Sequence, residues 1–280
     1  MAKRFAWSAF RMIVVFFVLI HAFLYLMQEG MLFYPRPLQP EVRAAVRKAL
    51  PQAEEVFLET ADGHKLHGWF VPGGTTALIY FGGNAEEVTG FALDAAELPG
   101  VSLALFNYRG YGGSTGRPGE TALFADALAI YDHVASRPGV DAKRIVVMGR
   151  SLGSGVATYV ASQRPVSGAI LVTPYDSIAA VAQAAYPFVM VDLLLRHRFD
   201  SIARAPAIQA PALILAGAAD TLIPPSHAAA LARAWRGPVT HVVLPRAGHD
   251  DISMHEGYWR AIRAFLPPSS SAAGPGAPGH

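Results

Sequence analysis

The chain has 280 residues, of which 52% are hydrophobic and 16% charged, with 23 Lys and Arg against 21 Asp and Glu. This balance gives no electrostatic case for nucleic-acid binding, and the lack of cysteine excludes disulfides, a thiolate nucleophile and Cys-ligated metals. The length suits one large α/β domain or two small ones, once an apolar N-terminal stretch and a polar tail are set aside.

An apolar segment precedes the domain. Met12 to Met27 is interrupted only by His21, and extension back to Phe5 lengthens the segment at the cost of one arginine. At about 1.5 Å per residue these lengths bracket the ~30 Å hydrocarbon core of a bilayer. We therefore expect residues 1–27 to be an uncleaved membrane anchor. The alternatives are a cleaved signal peptide, for which the residues before position 28 offer no small-residue cleavage site, and a buried soluble helix.

The charges that flank the segment predict its orientation. Lys3 and Arg4 precede the apolar run, whereas Glu29 follows it. The positive-inside rule then places the following domain outside the cytoplasm. On this interpretation residues 1–27 act as a tether, and a chain that begins near Gln28 is expected to be soluble and active.

Eight strand-like runs follow the anchor. The first two are separated by Ala61-Asp62-Gly63-His64, which predicts a hairpin. The other six are apolar without alternation and mostly precede a helical pattern, which predicts an α/β fold with a mostly parallel sheet covered on both faces. The strand runs are Val56–Thr60, Lys65–Val71, Ala77–Phe81, Ser102–Asn107, Arg144–Met148, Ala169–Thr173, Ala212–Ala216 and Thr240–Leu244, and the helical patterns span about 85–98, 121–136, 152–163, 226–236 and 255–266.

Two segments depart from this alternation of strands and helices. Residues 177–206 are too long for a simple connection, and we expect them to form a lid insertion within a domain that spans 28–266. The tail, residues 267–280, is rich in Pro, Gly, Ser and Ala, a composition typical of disorder.

A serine motif marks the candidate nucleophile. Gly149-Arg150-Ser151-Leu152-Gly153 has the pattern G-x-S-x-G and lies directly between a predicted strand and a predicted helix. Such a turn exposes the serine hydroxyl above the edge of the sheet. The backbone N–H of Leu152, at the start of the helix, then points to where an oxyanion would form.

A serine nucleophile needs a base and an acid that orients the base. Among ten histidines, His249 is favoured because its loop follows the last strand and reaches the carboxyl end of the sheet. Asp220 follows the preceding strand, and its loop is rich in small residues. Asp176, which also follows a strand, is the second candidate for the acid, with helix capping as its alternative role.

The turn after the third predicted strand is the candidate for a second oxyanion donor. It reads Gly82-Gly83-Asn84-Ala85, and glycine lets the backbone approach a substrate closely. The N–H of Asn84 is the candidate donor, and Gly83, Tyr111 and Tyr175 are candidate substrate contacts. The alternative is an ordinary glycine loop that caps the next helix.

Taken together, these motifs resemble those of α/β-hydrolase-fold serine hydrolases, in particular a membrane-anchored branch with lipid- and acyl-protein-hydrolysing members. The resemblance spans residues 33–249. One departure from the pattern is Gly82, where the branch usually has histidine. The matching stretches are Phe33–Pro37, Gly82–Ala85, Asn107–Gly116, Gly149–Gly153, Gly217–Asp220 and Gly248-His249. In such proteins the Arg109–Gly116 loop shapes the site, or forms a turn that buries Tyr108 and Tyr111.

The resemblance implies hydrolysis of a carboxylic ester or thioester through an acyl-enzyme, with no metal and no organic cofactor. The anchor and the apolar lid favour an acyl-chain or lipid-like substrate over a polar peptide. Two alternatives stay open. A peptidase or amidase would use the same residues, and a membrane-tethered binding module would keep the fold without catalysis.

Overall fold

The structure, a computed structural model, describes residues 2–266, and within them eight strands form one sheet. The predicted tail, 267–280, lies outside the described residues. The strands are β1 (Glu54–Glu59), β2 (Lys65–Val71), β3 (Thr76–Phe81), β4 (Val101–Phe106), β5 (Ile145–Arg150), β6 (Gly168–Val172), β7 (Ala212–Gly217) and β8 (Val239–Leu244). Each lies within two residues of its predicted bounds.

The sheet is mostly parallel, as predicted. The strand order is β1-β2-β4-β3-β5-β6-β7-β8, and only β2 runs antiparallel to its neighbours. The pairs β3–β4, β3–β5, β5–β6, β6–β7 and β7–β8 are parallel. The carboxyl ends of β3, β5, β7 and β8 therefore meet at one edge, where ligands bind in open α/β sheets.

Helices cover both faces of the sheet. The α-helices are α1 (Ala2–Leu32), α2 (Pro40–Ala49), α3 (Glu120–Ala135), α4 (Leu152–Gln163), α5 (Ile178–Ala185), α6 (Val191–Leu194), α7 (Ser201–Arg204), α8 (Pro225–Ala234) and α9 (Glu256–Phe265). One core contains Ile79 and Val147 with residues of α3, α4 and α8. The other contains Leu78 and Met148 with residues of α2 and α9. Because successive residues of a strand point to opposite faces, strands buried on both sides read as unbroken apolar runs.

Two elements differ from the predictions. The pattern at 85–98 forms a 3₁₀ helix over Val88–Glu97, whose first N–H groups bond to side chains: Val88 N to Asn107 Oδ1 at 3.1 Å and Thr89 N to Glu87 Oε1 at 3.2 Å. Gly90 within it lowers α-helix propensity. Helix α2 was not predicted, although Pro40 at its start and basic residues in its last turn are typical helix signals.

The first helix has two differently packed parts. It runs unbroken through the expected anchor boundary at residue 27 and ends at Leu32. Residues 3–20 are exposed apart from a half-covered Ala9, whereas the part from His21 onward packs against the rest of the protein. Lys3–Leu32 is the one helix in the described part of the chain that is long and apolar enough to cross a membrane.

The segment between β6 and β7, in the region expected to be a lid insertion, carries α5, α6 and α7. We call this segment the cap. Its main-chain and side-chain groups bond to α1: Gln28 Nε2 donates to the carbonyl of Leu194 at 3.1 Å, and Arg196 N donates to Gln28 Oε1 at 2.8 Å. The cap and the second part of α1 therefore form one layer over the carboxyl edge of the sheet.

Candidate active site

Ser151 lies on the tight turn between β5 and α4. Its backbone φ is +50°, a value that few residues other than glycine adopt. A Cβ at Gly149 would lie 2.1 Å from the carbonyl oxygen of Gly153, and one at Gly153 would lie 2.0 Å from that of Phe81. The two glycines of the motif are therefore required by close backbone packing, which holds the serine in its strained conformation.

His249 and Asp220 complete a hydrogen-bonded series with Ser151. Ser151 Oγ lies 2.9 Å from His249 Nε2, and His249 Nδ1 lies 2.8 Å from Asp220 Oδ2. A carboxylate can only accept, so Nδ1 donates to Asp220 and Nε2 is left to accept the serine proton. The Asp220 side chain is 1% exposed, and its Oδ1 accepts the N–H groups of Leu222 and Ile223. The aspartate is thus fixed at both oxygens.

The loops after β7 and β8 are held together by backbone contacts. Ala219 N donates to the carbonyl of Ala247 at 2.9 Å, and Ala218 N donates to that of Leu244 at 3.0 Å. A Cβ at Gly217 would lie 2.3 Å from the Ala247 carbonyl oxygen. The small residues before Asp220 therefore let its loop approach the loop that carries His249.

The loop after β3 brings Gly83 and Asn84 next to Ser151. A Cβ at Gly83 would lie 3.8 Å from the Cβ of Ser151, and both Asn84 and Leu152 line the cavity beside the serine. The Asn84 carbonyl oxygen accepts two hydrogen bonds, from Tyr34 N at 3.1 Å and from the Tyr111 hydroxyl at 2.5 Å. The peptide orientation of the loop is set by these bonds.

Glu86 stabilises the same loop through hydrogen bonds. Its Oε2 accepts the Gly83 N–H at 2.8 Å and lies 3.4 Å from the Arg150 guanidinium, while its Oε1 accepts the Tyr80 hydroxyl at 2.7 Å. The guanidinium also donates to the carbonyl of His249 at 3.4 Å. Glu86 and Arg150 therefore connect the loop after β3, the serine turn and the histidine loop.

A cavity of about 320 Å³ opens onto Ser151, near the lower end of the volumes typical of small-molecule sites. Its walls come from α1, the cap, the serine turn and the loop after Asp220. The lining residues are Leu24, Gln28, Met31, Leu32, Asn84, Ser151, Leu152, Tyr175, Ile178, Val181, Ala182, Ala185, Tyr186, Val189, Val191, Leu194, Leu195, Leu222 and Ile223.

The lining is mostly apolar and, within the part of the chain that the structure describes, uncharged. It therefore fits an acyl chain better than a phosphate or a charged peptide side chain. In residues 2–266, no group of three or more His, Asp or Glu side chains is arranged to hold a metal ion.

The three candidate substrate contacts take different positions. Tyr175 lines the cavity and donates its hydroxyl to the Leu152 carbonyl at 2.9 Å; burial, with a smaller contribution from Glu120, raises its pKa well above the ordinary value. Gly83 and Tyr111 do not line the cavity. Tyr111 is fully buried, burial raises its pKa to about 12, and its hydroxyl holds the Asn84 carbonyl.

Asp176, the second candidate for the acid, is paired with a different histidine. Its Oδ1 lies 2.9 Å from His227 Nδ1 and accepts the Ser177 N–H at 2.6 Å. Ser177 in turn caps α5 by accepting the Ala180 N–H. Asp176 therefore lies outside the series that contains Ser151.

Neither Glu86 nor the wall of the cavity formed by α1 was among the site features predicted from the sequence. The sequence pattern does not mark Glu86, because its bond to the Gly83 N–H depends on how the loop after β3 folds and its contact with Arg150 joins segments 64 residues apart. For α1 a signal exists: His21 and Gln28 are polar, seven residues apart, and therefore lie on one face of an otherwise apolar helix.

The chain is similar to several known proteins. The family model described as serine hydrolase matches residues 131–267. An uncharacterized protein of Mycobacterium tuberculosis is 36% identical over 252 residues, covering 87% of this chain and 89% of that protein. The α/β hydrolase domain-containing protein WAV2 of Arabidopsis thaliana is 31% identical, covering 76% and 78%. An uncharacterized membrane protein of Saccharomyces cerevisiae is 30% identical, covering 76% and 79%.

Solved structures share the fold. An esterase of Pyrococcus furiosus superposes with a TM-score of 0.66 at 18% identity, covering 84% of this chain and 99% of that one. Acetyl xylan esterase 1 of a Thermoanaerobacterium species gives a TM-score of 0.61 at 19% identity, covering 86% and 97%. At these identities the likeness establishes the architecture, and the chemistry is argued from the site.

Proposed function

The chain belongs to the α/β-hydrolase family of serine hydrolases, and from that membership we propose that it cleaves a carboxylic ester or thioester with Ser151, His249 and Asp220 as its catalytic triad. The observation that carries the proposal is the series of contacts from Ser151 Oγ to His249 Nε2 at 2.9 Å and from His249 Nδ1 to Asp220 Oδ2 at 2.8 Å. Such a series is what activates a serine hydroxyl, which is a poor nucleophile at neutral pH.

In the first half-reaction, Ser151 Oγ attacks the acyl carbonyl carbon while His249 Nε2 takes the hydroxyl proton. The negative charge moves to the carbonyl oxygen, where the N–H groups of Leu152 and Asn84 stabilise it. The positive end of α4 adds to this stabilisation. His249 then gives its proton to the leaving alcohol or thiol, and the acyl-enzyme remains.

In the second half-reaction, water attacks the acyl-enzyme and His249 takes one of its protons. Collapse of the second tetrahedral intermediate returns that proton to Ser151 Oγ and releases the carboxylic acid. Asp220 accepts the Nδ1–H throughout, so the imidazole keeps its orientation and its cationic form is stabilised.

The apolar cavity favours an acyl-chain or lipid-like substrate, and the apolar helix favours a membrane location. The membrane protein of Saccharomyces cerevisiae among the relatives supports the second point. We infer that α1 crosses the bilayer with Lys3 and Arg4 on the cytoplasmic side, which places the catalytic domain outside the cytoplasm.

Active-site labelling tests the proposal. A fluorophosphonate probe should label the unmodified chain at Ser151, and Ser151→Ala should abolish both labelling and hydrolysis of an acyl ester. Ser162→Ala, a serine within the same helix α4, is the control that should keep both. Labelling that persists in Ser151→Ala, or turnover of aminoacyl amides but of no ester or thioester, would overturn the assignment.

A further inference from the structure

Helix α1 presents one face to the protein along its second part. His21, Leu24, Gln28 and Leu32 are the covered residues between positions 21 and 32, and their spacing of three or four residues places them on one side of the helix. The residues between them are exposed, including Leu26 at 68%. This face is therefore specific, in contrast to residues 3–20, of which only Ala9 is partly covered.

The cap holds this face by polar bonds. Met190 N donates to His21 Nε2 at 3.3 Å, and Gln28 bonds to the backbone at Leu194 and Arg196. Arg196 also pairs with Glu29 at 3.0 Å. The second part of α1 is thus docked on the cap over about three helical turns.

The docked face is also a wall of the cavity. Leu24, Gln28 and Leu32 of this face, together with the neighbouring Met31, line it opposite the cap. Just beyond Leu32, Tyr34 N bonds to the carbonyl of Asn84, so this end of the helix lies beside Ser151 and the proposed oxyanion donor. Leu24 lies about 12 Å farther along the helix axis. The cavity therefore extends from the serine along α1 toward its N-terminal part.

The length of α1 indicates where the cavity lies relative to the membrane boundary. Phe5 to Ile20 spans about 24 Å, which is shorter than the ~30 Å hydrocarbon core. About four more residues are needed, so the core extends to about Leu24. Met190, which contacts His21, then lies within about one helical turn of the membrane boundary. On the same cap segment Phe188 is 89% exposed and Leu193 is 74% exposed, as expected of side chains that a membrane surface covers.

We propose that α1 is part of the acyl-binding site and that the cavity receives the acyl chain of an ester or thioester directly from the bilayer. This inference rests on the proposed function. In it, Leu24, Met31 and Leu32 contact the chain and determine the preference for chain length, while Phe188 and Leu193 hold the mouth of the cavity against the lipid surface.

Two substitutions on the same helix test the first half of the proposal. The full chain is assayed in detergent micelles on 4-nitrophenyl butyrate and 4-nitrophenyl palmitate. Leu24→Trp fills the far end of the cavity and should lower the palmitate-to-butyrate ratio of kcat/KM by about tenfold or more. Leu26→Trp adds the same group to the exposed side and should leave the ratio unchanged.

The outcomes of this assay separate the two hypotheses. If the unmodified chain turns over neither ester, the proposed function is overturned, and this inference with it. Turnover of both esters with the same ratio in Leu24→Trp as in the unmodified chain leaves the triad assignment intact but overturns the role of α1. Continued fluorophosphonate labelling of Leu24→Trp shows that the variant is folded.

A second pair of variants tests delivery from the bilayer. The full chain is reconstituted in phosphatidylcholine vesicles that contain a long-chain ester, and the rate is compared with that in micelles. Phe188→Ser should lower the vesicle-to-micelle ratio by about threefold or more, because it removes an apolar membrane contact. Phe57→Ser, an exposed phenylalanine on β1, should not. Equal ratios in the two variants would refute delivery from the bilayer.

Discussion

Asp176 and His227 form a pair of their own: Asp176 Oδ1 lies 2.9 Å from His227 Nδ1, a geometry nearly the same as the 2.8 Å contact between Asp220 and His249. Two aspartates that follow neighbouring strands thus each orient a histidine. Only His249 reaches a serine hydroxyl, at 2.9 Å. The choice between the two acids therefore depends on which histidine lies beside Ser151.

This difference predicts opposite effects of two matched substitutions. Asp220→Asn should lower kcat by about 10⁴-fold, because an amide cannot accept the Nδ1–H in the same way and the imidazole loses its tautomer and orientation. Asp176→Asn should leave kcat within the same order of magnitude, at a cost of about 1 kcal/mol of stability from the weakened contact with His227. Steady-state kinetics and thermal unfolding of both variants measure the effects. Collapse of turnover in Asp176→Asn alone would identify it as the acid.

The second prediction concerns Glu86, whose carboxylate accepts the Gly83 N–H at 2.8 Å. Glu86→Ala removes this acceptor and frees the loop that carries Asn84, so kcat should fall by about tenfold to a hundredfold, with a smaller effect on KM. Glu86→Gln keeps one acceptor oxygen and should recover part of the loss. Glu97→Ala, at the end of the 3₁₀ helix that follows Glu86 and paired with Arg263, serves as the control. An unchanged kcat in Glu86→Ala would exclude a positioning role.

The third prediction concerns acid stability and Glu55. Burial of this carboxylate favours its neutral form, but hydrogen bonds from Arg43, Arg47 and His67 outweigh burial and lower its pKa from 4.5 to about 2. Since the folded-state pKa is below the unfolded one, the contribution to stability is present above about pH 4.5 and is lost as the pH falls toward 2.

Substitution at this position gives the measurement. Glu55→Gln should lower Tm at pH 7 and reduce the loss of Tm between pH 5 and about pH 2, relative to the unmodified chain. Glu59→Gln, an exposed glutamate on the same strand, should leave the pH profile of Tm unchanged. Parallel acid-denaturation curves for Glu55→Gln and the unmodified chain would contradict the prediction.

The fourth prediction concerns removal of residues 1–27. The sequence suggested that these residues act only as a tether, whereas the structure has Leu24 in the cavity wall and His21 bonded to the cap. A chain that begins at Gln28 should keep turnover of butyrate esters and lose its preference for palmitate esters. The chain-length profile of kcat/KM measures this, with fluorophosphonate labelling to show that the site is folded. An unaltered profile would restore the tether interpretation.

Much of the fold could be predicted because its signals are local. The six apolar runs without alternation indicate strands buried on both faces, and each run requires nothing beyond its own residues to be recognised. The same holds for the turn at Ser151, where a strand, two glycines and a helix follow one another in the sequence. Chain order and loop composition also favoured Asp220 over Asp176, since small residues let its loop pack against that of His249.

Contacts between segments that are distant in the chain were decided only by the tertiary structure. Glu86, for example, faces Arg150 of β5, which is 64 residues away in the chain. The docking of α1 depends on the cap, more than 160 residues away in the chain, as in the Gln28–Leu194 bond. Sequence periodicity reports which side of an element is apolar, but not which partner covers it. That choice depends on the free energy of packing surfaces that meet only once the whole chain has folded.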